Sequence, residues 1–469
     1  MIVMPSADLD LAVGDLVKSA FGHAGQKCSA ASLAILVGPV ARSRRFLRQL
    51  EDATRSLRVG PPTDPRSEMG PVIEPPHGKL DWALRTLDEG EKWLVRPTLR
   101  PPVDLDGGYA GRLWTPGIRT NVRPGSRFHL EEFFGPVLGL MHASNLDKAI
   151  ELQNAVEYGL TAGLYTQDAR DLRRWLESVE AGNLYVNRGI TGAIVQRQPF
   201  GGWKRSSVGA GAKAGGPNYL VGLGSWRATS GGPASTTLHL RGLDSRITTL
   251  IEAAQPSLDY PSFEWLRRAA LSDAIWWDRE FGRVKDVSGL GVERNLFRYR
   301  PVARIGIRAA GDASWHALLR VVVAGIRCGS AFTVSAPVGL PAAVRRALGD
   351  LGITVFVETE DEWVQRTAGR ATEQVAHGEG EATDAEAAVA DALAGPRPER
   401  VRLIGSADAV DAARRALAAA TGGDPDIAVY ADEVTTAGRL ELLPFLREQS
   451  VTITAHRFGT PDPWSAEAI

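Results

Sequence analysis

The chain has 469 residues, of which 44% are apolar and 23% are charged, and its net charge is near −1. Such values are typical of a folded protein with two or three domains, and they give no electrostatic reason to expect a nucleic acid or an acidic membrane as a partner. The two cysteines, Cys28 and Cys328, exclude a disulfide framework and favour a reducing cytoplasm. No apolar stretch reaches the roughly 20 residues that cross a bilayer, and no histidine, cysteine and carboxylate cluster has metal-site spacing, so we expect no membrane segment and no metal.

Helices alternate with short apolar strands in the first half of the chain. Apolar residues recur at helical spacing over 9–20, and Asp8 and Asp10 lie where the helix dipole favours acids. The apolar run 33–37 predicts a strand. Further elements are predicted as helices over 41–57, 79–91, 146–154 and 169–179 and as a strand over 183–187. This alternation predicts an α/β domain.

A linker of small residues at 228–240 divides the chain into predicted domains at 1–227 and 241–469. The second domain opens with a predicted helix over 261–281. Strands and helices then alternate over 302–307, 314–326, 331–335, 341–351 and 353–357, and a second βαβ group follows over 401–404, 407–420, 427–430, 440–447 and 451–455. The order predicts a doubly wound parallel sheet, with a surface excursion at 372–398.

Cys28 stands on a polar, glycine-bearing loop between the first predicted helix and the strand at 33–37. A thiol on such a loop can meet a substrate, whereas a thiol on an apolar face packs. A lone cysteine is by itself most often an inert structural thiol, so its surroundings decide its meaning.

Three motifs around this cysteine resemble the catalytic domain of the aldehyde dehydrogenase superfamily. They are Gly25-Gln-Lys-Cys-Ser29, Glu131-Glu-Phe-Phe-Gly-Pro-Val137 and Gln198-Pro-Phe-Gly-Gly202. The segment Asn187-Arg-Gly-Ile-Thr-Gly-Ala193 is similar to the branch that oxidises glutamate semialdehyde in proline breakdown. The resemblance covers residues 1–225 and implies that a cysteine thiolate attacks an aldehyde, that hydride leaves for NAD⁺, and that water hydrolyses the thioester.

The resemblance also implies roles for single residues. Cys28 matches the nucleophile, and its own backbone N–H would form half of an oxyanion hole. Ser29 and the anchor loop Thr191-Gly192-Ala193 match positions that hold the substrate carboxylate, the loop through its backbone amides. Phe200 would form an aromatic wall for the aliphatic part of the substrate. The ordinary alternatives are a plain turn at 191–193 and a core phenylalanine at 200.

Two further residues match the cofactor site of the family. Glu132 corresponds to the glutamate that hydrogen-bonds the nicotinamide ribose, and Phe134 to the ring beside the nicotinamide. The alternative for this pair is an acidic loop before a buried strand.

Other parts of the family pattern are missing from the sequence: the dinucleotide-binding domain, the general-base glutamate and the asparagine that completes the oxyanion hole. The start of the chain resembles the segment that follows the glutamate motif, so we expect a piece of a longer enzyme truncated at its amino end, with the missing half as its partner. Losing one such base or donor costs on the order of 10²–10⁴-fold in rate, and this polypeptide alone is expected to have little dehydrogenase activity.

The second half resembles the carboxyl-terminal domain of long bifunctional proline-utilisation proteins, through Asn295-Leu-Phe-Arg-Tyr-Arg-Pro301 and the segment 446–459. That resemblance implies an aldehyde-dehydrogenase-like module without chemistry of its own, acting as a lid and as an internal substitute for a dimer partner. Two alternatives to the dehydrogenase stay open, a non-catalytic folding or interaction fragment and a cysteine-dependent ester hydrolase, whose nearest base would be His23. A homo-oligomer also stays open.

Overall fold

A computed structural model describes residues 1–100, 109–228, 243–369 and 397–469. The predicted linker at 228–240 and the predicted excursion at 372–398 lie almost wholly outside these described residues. Within the described ranges, no helix combines the length and the apolar character that crossing a membrane requires.

The first half alternates strands and helices as predicted. Its strands are β1 Ile2–Val3, β2 Leu33–Val37, β3 Lys92–Val95, β4 Gly117–Thr120, β5 Val137–Ala143, β6 Tyr158–Gly159, β7 Thr161–Tyr165, β8 Asn183–Val186 and β9 Trp203–Lys204. Its helices are α1 Leu9–Phe21, α2 Arg44–Ser56, α3 Gly78–Arg85, α4 Arg127–Leu130, α5 Leu146–Asn154 and α6 Ala169–Ser178. The helix predicted over 79–91 is wrong in its second half, because the chain turns at Asp88, whose carbonyl accepts from the Glu91 amide, and then enters β3.

The second half adds the remaining strands and helices. Its strands are β10 Lys285–Asp286, β11 Glu293–Pro301, β12 Ile305–Ala309, β13 Phe332–Ala336, β14 Val355–Val357, β15 Arg400–Ile404, β16 Ala428–Tyr430, β17 Leu446–Thr454, β18 His456–Arg457 and β19 Thr460–Pro461. Its helices are α7 Ser245–Ala254, α8 Tyr260–Trp276, α9 Trp315–Cys328, α10 Ala342–Asp350, α11 Glu360–Ala368, α12 Ala407–Thr421 and α13 Gly438–Glu441.

The smaller of the two main sheets is the doubly wound sheet that the sequence predicts. Its five strands follow the order β14-β13-β12-β15-β16, and every neighbouring pair is parallel. The chain thus starts in the middle strand, winds to one edge and then returns to build the other, as in doubly wound dinucleotide-binding folds.

The larger sheet crosses the predicted domain boundary. Its ten strands follow the order β10-β11-β17-β8-β7-β1-β2-β5-β4-β3, so three strands of the second half extend a sheet built by the first. Strand β17 runs parallel to β8 and antiparallel to β11. The boundary at 228–240 therefore does not separate the two sheets.

This topology corrects the prediction for the end of the chain. The segment 440–447 was expected to be a helix and 451–455 a strand of the doubly wound sheet. Helix α13 instead ends at Glu441, and β17 begins at Leu446 and enters the larger sheet. Strand β11 lies in a segment where no strand was predicted, and its alternate residues serve two cores. Leu296 packs into the core of the larger sheet, whereas Phe297 and Tyr299 pack into the core of the smaller one.

A buried polar network joins the two halves at Lys213 and Glu448. The Lys213 backbone N–H donates to Glu448 Oε2 at 2.6 Å, and Asn218 Nδ2 donates both to Glu448 Oε1 and to the Tyr299 hydroxyl. The Lys213 ammonium donates to Asn183 Oδ1 at 2.8 Å and to the Gly201 carbonyl. Burial lowers the pKa of Lys213 to about 7, while the nearby Glu448 carboxylate opposes the shift.

This buried lysine predicts how stability depends on pH. Between pH 7 and 10.5 the unfolded chain holds a proton on Lys213 that the folded chain does not, so the free energy of unfolding should rise with pH in that range. The rise is at most about 1.4 kcal/mol per pH unit. Urea unfolding at several pH values should show this slope in the parent and in the exposed-site control Lys18→Met, and its loss in Lys213→Met. A slope that survives in Lys213→Met would contradict the assignment.

Candidate functional site

Cys28 lies on an exposed turn, as the sequence predicts. The turn is closed by a hydrogen bond from the Ala30 N–H to the Lys27 carbonyl at 3.0 Å, and it connects a 3₁₀ segment at Gly22–Gly25 to β2. Ser29, the next residue, is buried under the turn. The thiol is therefore open to solvent while its immediate support is packed.

The cysteine turn is docked against the loop that carries Glu132 and Phe134. Gly25 has φ +69°, and a Cβ there would lie 2.2 Å from the Gly135 carbonyl oxygen, so only glycine allows this approach. Gln26 fixes the same contact, because its Nε2 donates to the Phe134 carbonyl at 3.2 Å while its Oε1 accepts from the Ile73 N–H at 2.8 Å. The nucleophile candidate and the cofactor candidates thus belong to one assembled region.

Gly25→Ala should disrupt this docking and lower the free energy of unfolding by roughly 1–3 kcal/mol, since it combines a strained φ with a backbone clash. Gly22→Ala is a matched control in the same segment, because a Cβ at Gly22 meets nothing within 4 Å. Urea unfolding and the rate of Cys28 alkylation should change in Gly25→Ala and stay near the parent in Gly22→Ala. Equal behaviour of the two variants would contradict the docking.

Glu132 and Phe134 line a small cavity with residues that follow the cysteine, among them Ala30 and Ser32. Both candidates have exposed side chains, and Phe134 adopts a left-handed backbone with φ 53° that turns it out of the loop. Nearby protein atoms partly desolvate the Glu132 carboxyl and raise its pKa, while Lys79 lowers it. A carboxylate and an aromatic ring beside the cysteine turn fit the ribose and nicotinamide end of a dinucleotide.

Among the described residues, Glu132 and Phe134 fit the ribose and nicotinamide end of the cofactor. The first strand of the doubly wound sheet, β12, is followed by Ala310-Gly-Asp-Ala-Ser314, which lacks the glycine pattern that cradles a pyrophosphate. Groups for the adenosine and pyrophosphate end would have to come from elsewhere.

The anchor loop at 191–193 follows β8 and presents its backbone to solvent. Thr191 is half-buried, Gly192 and Ala193 are exposed, and Gly192 has φ +85°. At the base of the loop the Ile190 N–H donates to Ser19 Oγ at 3.1 Å, and the Ser19 carbonyl accepts from the Ala31 N–H at 2.9 Å. Ser19, buried in α1, thus ties the anchor loop to the turn that bears Cys28.

Gln198 closes the other end of the anchor loop. Its Oε1 accepts from the Ile194 N–H at 2.8 Å, and its own N–H donates to the Ile194 carbonyl at 2.9 Å. Phe200, two residues further on, is half-buried, and its backbone pairs with Ala214 in both directions. These backbone bonds tie Phe200 to the glycine-rich segment near Lys213, and its role as a substrate wall stays a prediction.

Tyr185 is a titratable side chain that interacts electrostatically with Cys28. It is buried in β8, and burial raises its pKa to about 12. Tyr185 therefore keeps its proton at neutral pH and cannot serve there as a general base. Among the described residues, no group of three or more His, Cys, Asp or Glu could hold a metal ion.

The sequence predicts the exposed position of Cys28, which the structure shows, and an anchor loop at 191–193, whose role stays a prediction. It gives no sign of the contacts of Ser19 or of the side-chain bond of Gln198. Ser19 looks like any small residue on a helix, and the signal for it exists only in space, where one side chain and one carbonyl reach two loops. Gln198 belongs to one of the three motifs, but nothing in its spacing indicates a bond to Ile194.

The exposed Cys28 thiol is accessible to a reaction partner, whereas buried structural cysteines are inert. Residues 1–222 match the model of the aldehyde dehydrogenase family. The chain is 39% identical over 221 residues to a 1-pyrroline-5-carboxylate dehydrogenase of Geobacillus sp. (strain WCH70), an alignment that covers 47% of this chain and 41% of the relative. A protein of the same name from Bacillus subtilis (strain 168) is 38% identical over 234 residues, with the same shares of both chains.

Similarity to a solved structure extends over both halves. The structure of Proline Utilization A (PutA) from Corynebacterium freiburgense covers 98% of this chain with a TM-score of 0.73 and 41% sequence identity, and the match takes up 39% of that protein. The chain therefore spans about two fifths of the length of the relatives that it matches.

Proposed function

We propose that this chain carries the cysteine and the carboxylate site of an NAD-dependent dehydrogenase that oxidises L-glutamate 5-semialdehyde to L-glutamate, the second step of proline breakdown. The observation that carries the proposal is the exposed Cys28 turn joined through Ser19 to the open anchor loop. The names of the relatives support the same substrate.

The described residues divide the chemistry among themselves. Cys28 Sγ attacks the aldehyde carbon, and the Cys28 backbone N–H donates to the oxygen that becomes negative. The amides of 191–193, with the Ser29 hydroxyl, bind the carboxylate at the other end of the substrate, since successive backbone N–H groups form a concave site for an anion. Holding both ends orients the carbonyl over the sulfur.

The cofactor contributes the oxidising power. A bound NAD⁺ would supply the hydride acceptor for oxidation at the carbon that carries the Cys28 sulfur. Glu132 would accept hydrogen bonds from the nicotinamide ribose, and Phe134 would lie beside the nicotinamide ring. Water then cleaves the Cys28 thioester and releases the second carboxylate.

Full turnover needs a general base, a second oxyanion donor and a dinucleotide-binding module, and the family motifs that supply them are not found in this sequence. We therefore propose that the chain acts with a polypeptide segment that supplies them. The second half serves as a structural module, in line with its lack of a phosphate-binding glycine pattern after β12. A working thiol and the absence of a disulfide framework favour the cytoplasm as the compartment.

Complementation tests this proposal. The chain alone should form no NADH from glutamate semialdehyde, whereas mixing it with a separately expressed segment that carries the dinucleotide module and the base should restore NADH formation. Normal turnover by the chain alone would contradict the need for a complement. A complex that forms but stays inactive would favour the alternative of a non-catalytic interaction fragment.

Ester cleavage distinguishes the cysteine-dependent ester hydrolase from the proposed dehydrogenase. A cysteine-dependent hydrolase would release p-nitrophenol from p-nitrophenyl acetate continuously with the chain alone, because it needs no NAD. The dehydrogenase proposal expects at most one acetyl group per Cys28, because it assigns the water-activating base to the complementing segment, and Tyr185 stays protonated and cannot activate water.

A further inference from the structure

The conformation of the anchor loop depends on the orientation of one buried amide, that of Gln198. This side chain is 2% exposed, and its Oε1 must face the Ile194 N–H to hold the loop. If the amide were turned over, its NH₂ group would face that N–H and the hydrogen bond would be lost. Something must therefore fix which end of the amide faces the loop.

Asn295, on β11 of the second half, fixes it. Gln198 Nε2 donates to Asn295 Oδ1 at 2.7 Å, and Asn295 is itself 2% exposed. A reversed Gln198 would place its oxygen against the Asn295 oxygen, with no proton between them. The hydrogen-bond acceptor on β11 thus selects the orientation of Gln198 that serves the loop.

The orientation of Asn295 is fixed in turn. Its Nδ2 donates to Ser288 Oγ at 3.0 Å and to Glu293 Oε1 at 2.9 Å, and its Oδ1 also accepts from Thr452 Oγ1 at 3.2 Å. The Asn295 backbone N–H donates to Asp286 Oδ2 at 3.2 Å. With both amide protons used and the oxygen shared by two donors, reversing Asn295 would break several bonds at once.

Strand β11 also forms electrostatic contacts with residues on both sides of the anchor loop. Glu293 pairs with Arg188, which precedes the loop, at 2.5 Å, and lies 3.8 Å from Arg197, which follows it. Residues 192–196 between these flanks are exposed, so the loop has little packing of its own to define its shape. Its geometry is then set by contacts at its ends.

We propose that Asn295 is a positioning residue for the substrate carboxylate: from the second half of the chain it orients Gln198, and Gln198 holds the anchor loop with its amides turned to the anion. The inference rests on the proposed function, because it takes 191–193 as the carboxylate site. It assigns the second half a specific part in substrate selection, beyond its part in building the larger sheet.

Protection of Cys28 from alkylation tests the inference on the chain as it is, without turnover. Glutarate is the probe, because a five-carbon dicarboxylate can place one carboxylate in the anchor loop and cover the sulfur with the other end. In the parent chain, glutarate should slow the labelling of Cys28 by iodoacetamide, whereas the uncharged glutaramide should not. The quantity to compare is the glutarate concentration that gives half-protection.

Asn295→Leu, similar in size but without an acceptor, should raise that concentration by about tenfold, the loss of roughly one hydrogen bond's worth of preorganisation. The rate of labelling without glutarate should stay within about twofold of the parent, since Cys28 itself is not moved. Thr452→Val is the matched control: it removes the other donor to the same Asn295 oxygen and leaves the Gln198 bond in place. In Thr452→Val, half-protection of Cys28 should require the same glutarate concentration as in the parent. Thermal unfolding checks that each variant is folded.

Gln198→Met removes the Gln198–Asn295 hydrogen bond by changing its donor, and it should raise the half-protecting glutarate concentration at least as much. This second variant tests the inference even if Asn295→Leu does not fold. Parent-like protection in a folded Asn295→Leu or Gln198→Met would overturn the inference and leave the proposed function intact. An equal loss in Thr452→Val would also overturn it, because it would show general loosening. No protection of the parent would overturn the carboxylate site itself, and the inference with it.

Discussion

Cys28→Ala is expected to abolish NADH formation by the complemented enzyme, with a loss of roughly 10⁴-fold or more, because no other group can take the place of a covalent nucleophile. The measurement is NADH absorbance with glutamate semialdehyde as substrate. Iodoacetamide gives a second readout on the chain alone: the parent should take up one label, at Cys28, and Cys28→Ala should take up none under native conditions.

The second cysteine is the natural control for this experiment. Cys328 is buried at the end of α9, its Sγ lies 3.7 Å from the Leu442 carbonyl, and burial raises the pKa of its thiol. Cys328→Ala should therefore leave turnover and native labelling unchanged. Turnover that persists in Cys28→Ala, or labelling that falls on Cys328 instead, would remove the basis of the proposed mechanism.

Arg320→Met is expected to lower the free energy of unfolding by about 3–5 kcal/mol, the cost of leaving a buried charge without its partner. Arg320 and Asp273 are fully buried and form a bidentate pair, with N–O distances of 2.7 and 2.8 Å. Burial raises the pKa of Asp273 to about 6, and Arg320 opposes the shift. Urea unfolding of parent and variant measures the loss.

The pH dependence of this loss has a definite sign. An acid whose pKa is raised on folding stabilises the fold when protonated, and that stabilisation is lost as pH rises through the folded-state pKa. Without Arg320 the Asp273 pKa rises further, so Arg320→Met should be more damaging at pH 8 than at pH 5. Replacing Asp273 with leucine in the same chain should recover part of the loss. A double variant as unstable as the single one would contradict the account.

Local patterns in the sequence predicted much of the fold. Helix α1 was expected over 9–20, and the structure places it at Leu9–Phe21, where the Asp8 side chain caps it by accepting from the Leu11 N–H. The strand–helix alternation of the second half was enough to predict a doubly wound sheet. Periodicity and caps are written into consecutive residues, so they can be recognised without the rest of the molecule.

Local patterns could not predict which of the two sheets β17 would join. Its residues from Leu446 to Thr454 are compatible with either sheet. A strand that is buried on both faces has no sequence pattern that indicates the strands beside it. The choice is made by distant partners: Gln449 accepts from Arg298 on β11 and donates to the Ala181 carbonyl just before β8. Such pairings depend on residues far apart along the chain.

The same distinction between local motifs and long-range contacts applies to the candidate site. The turn of Cys28 and the loop at 191–193 could be located because their motifs are short and local. Their attachment to each other through Ser19, and to the second half through Gln198 and Asn295, could not, since each link joins segments separated by long stretches of chain. The roles of these residues in catalysis stay predictions.

The extension of the larger sheet by the second half has a practical consequence for anyone dissecting the protein. In a piece ending before the linker, β8 would have no neighbour on the side now occupied by β17, and its free N–H and C=O groups would form an open edge. Open edges pair readily with other chains. Such a piece is expected to self-associate or precipitate during purification. By covering the edge of β8, the second half is expected to protect the larger sheet from aggregation.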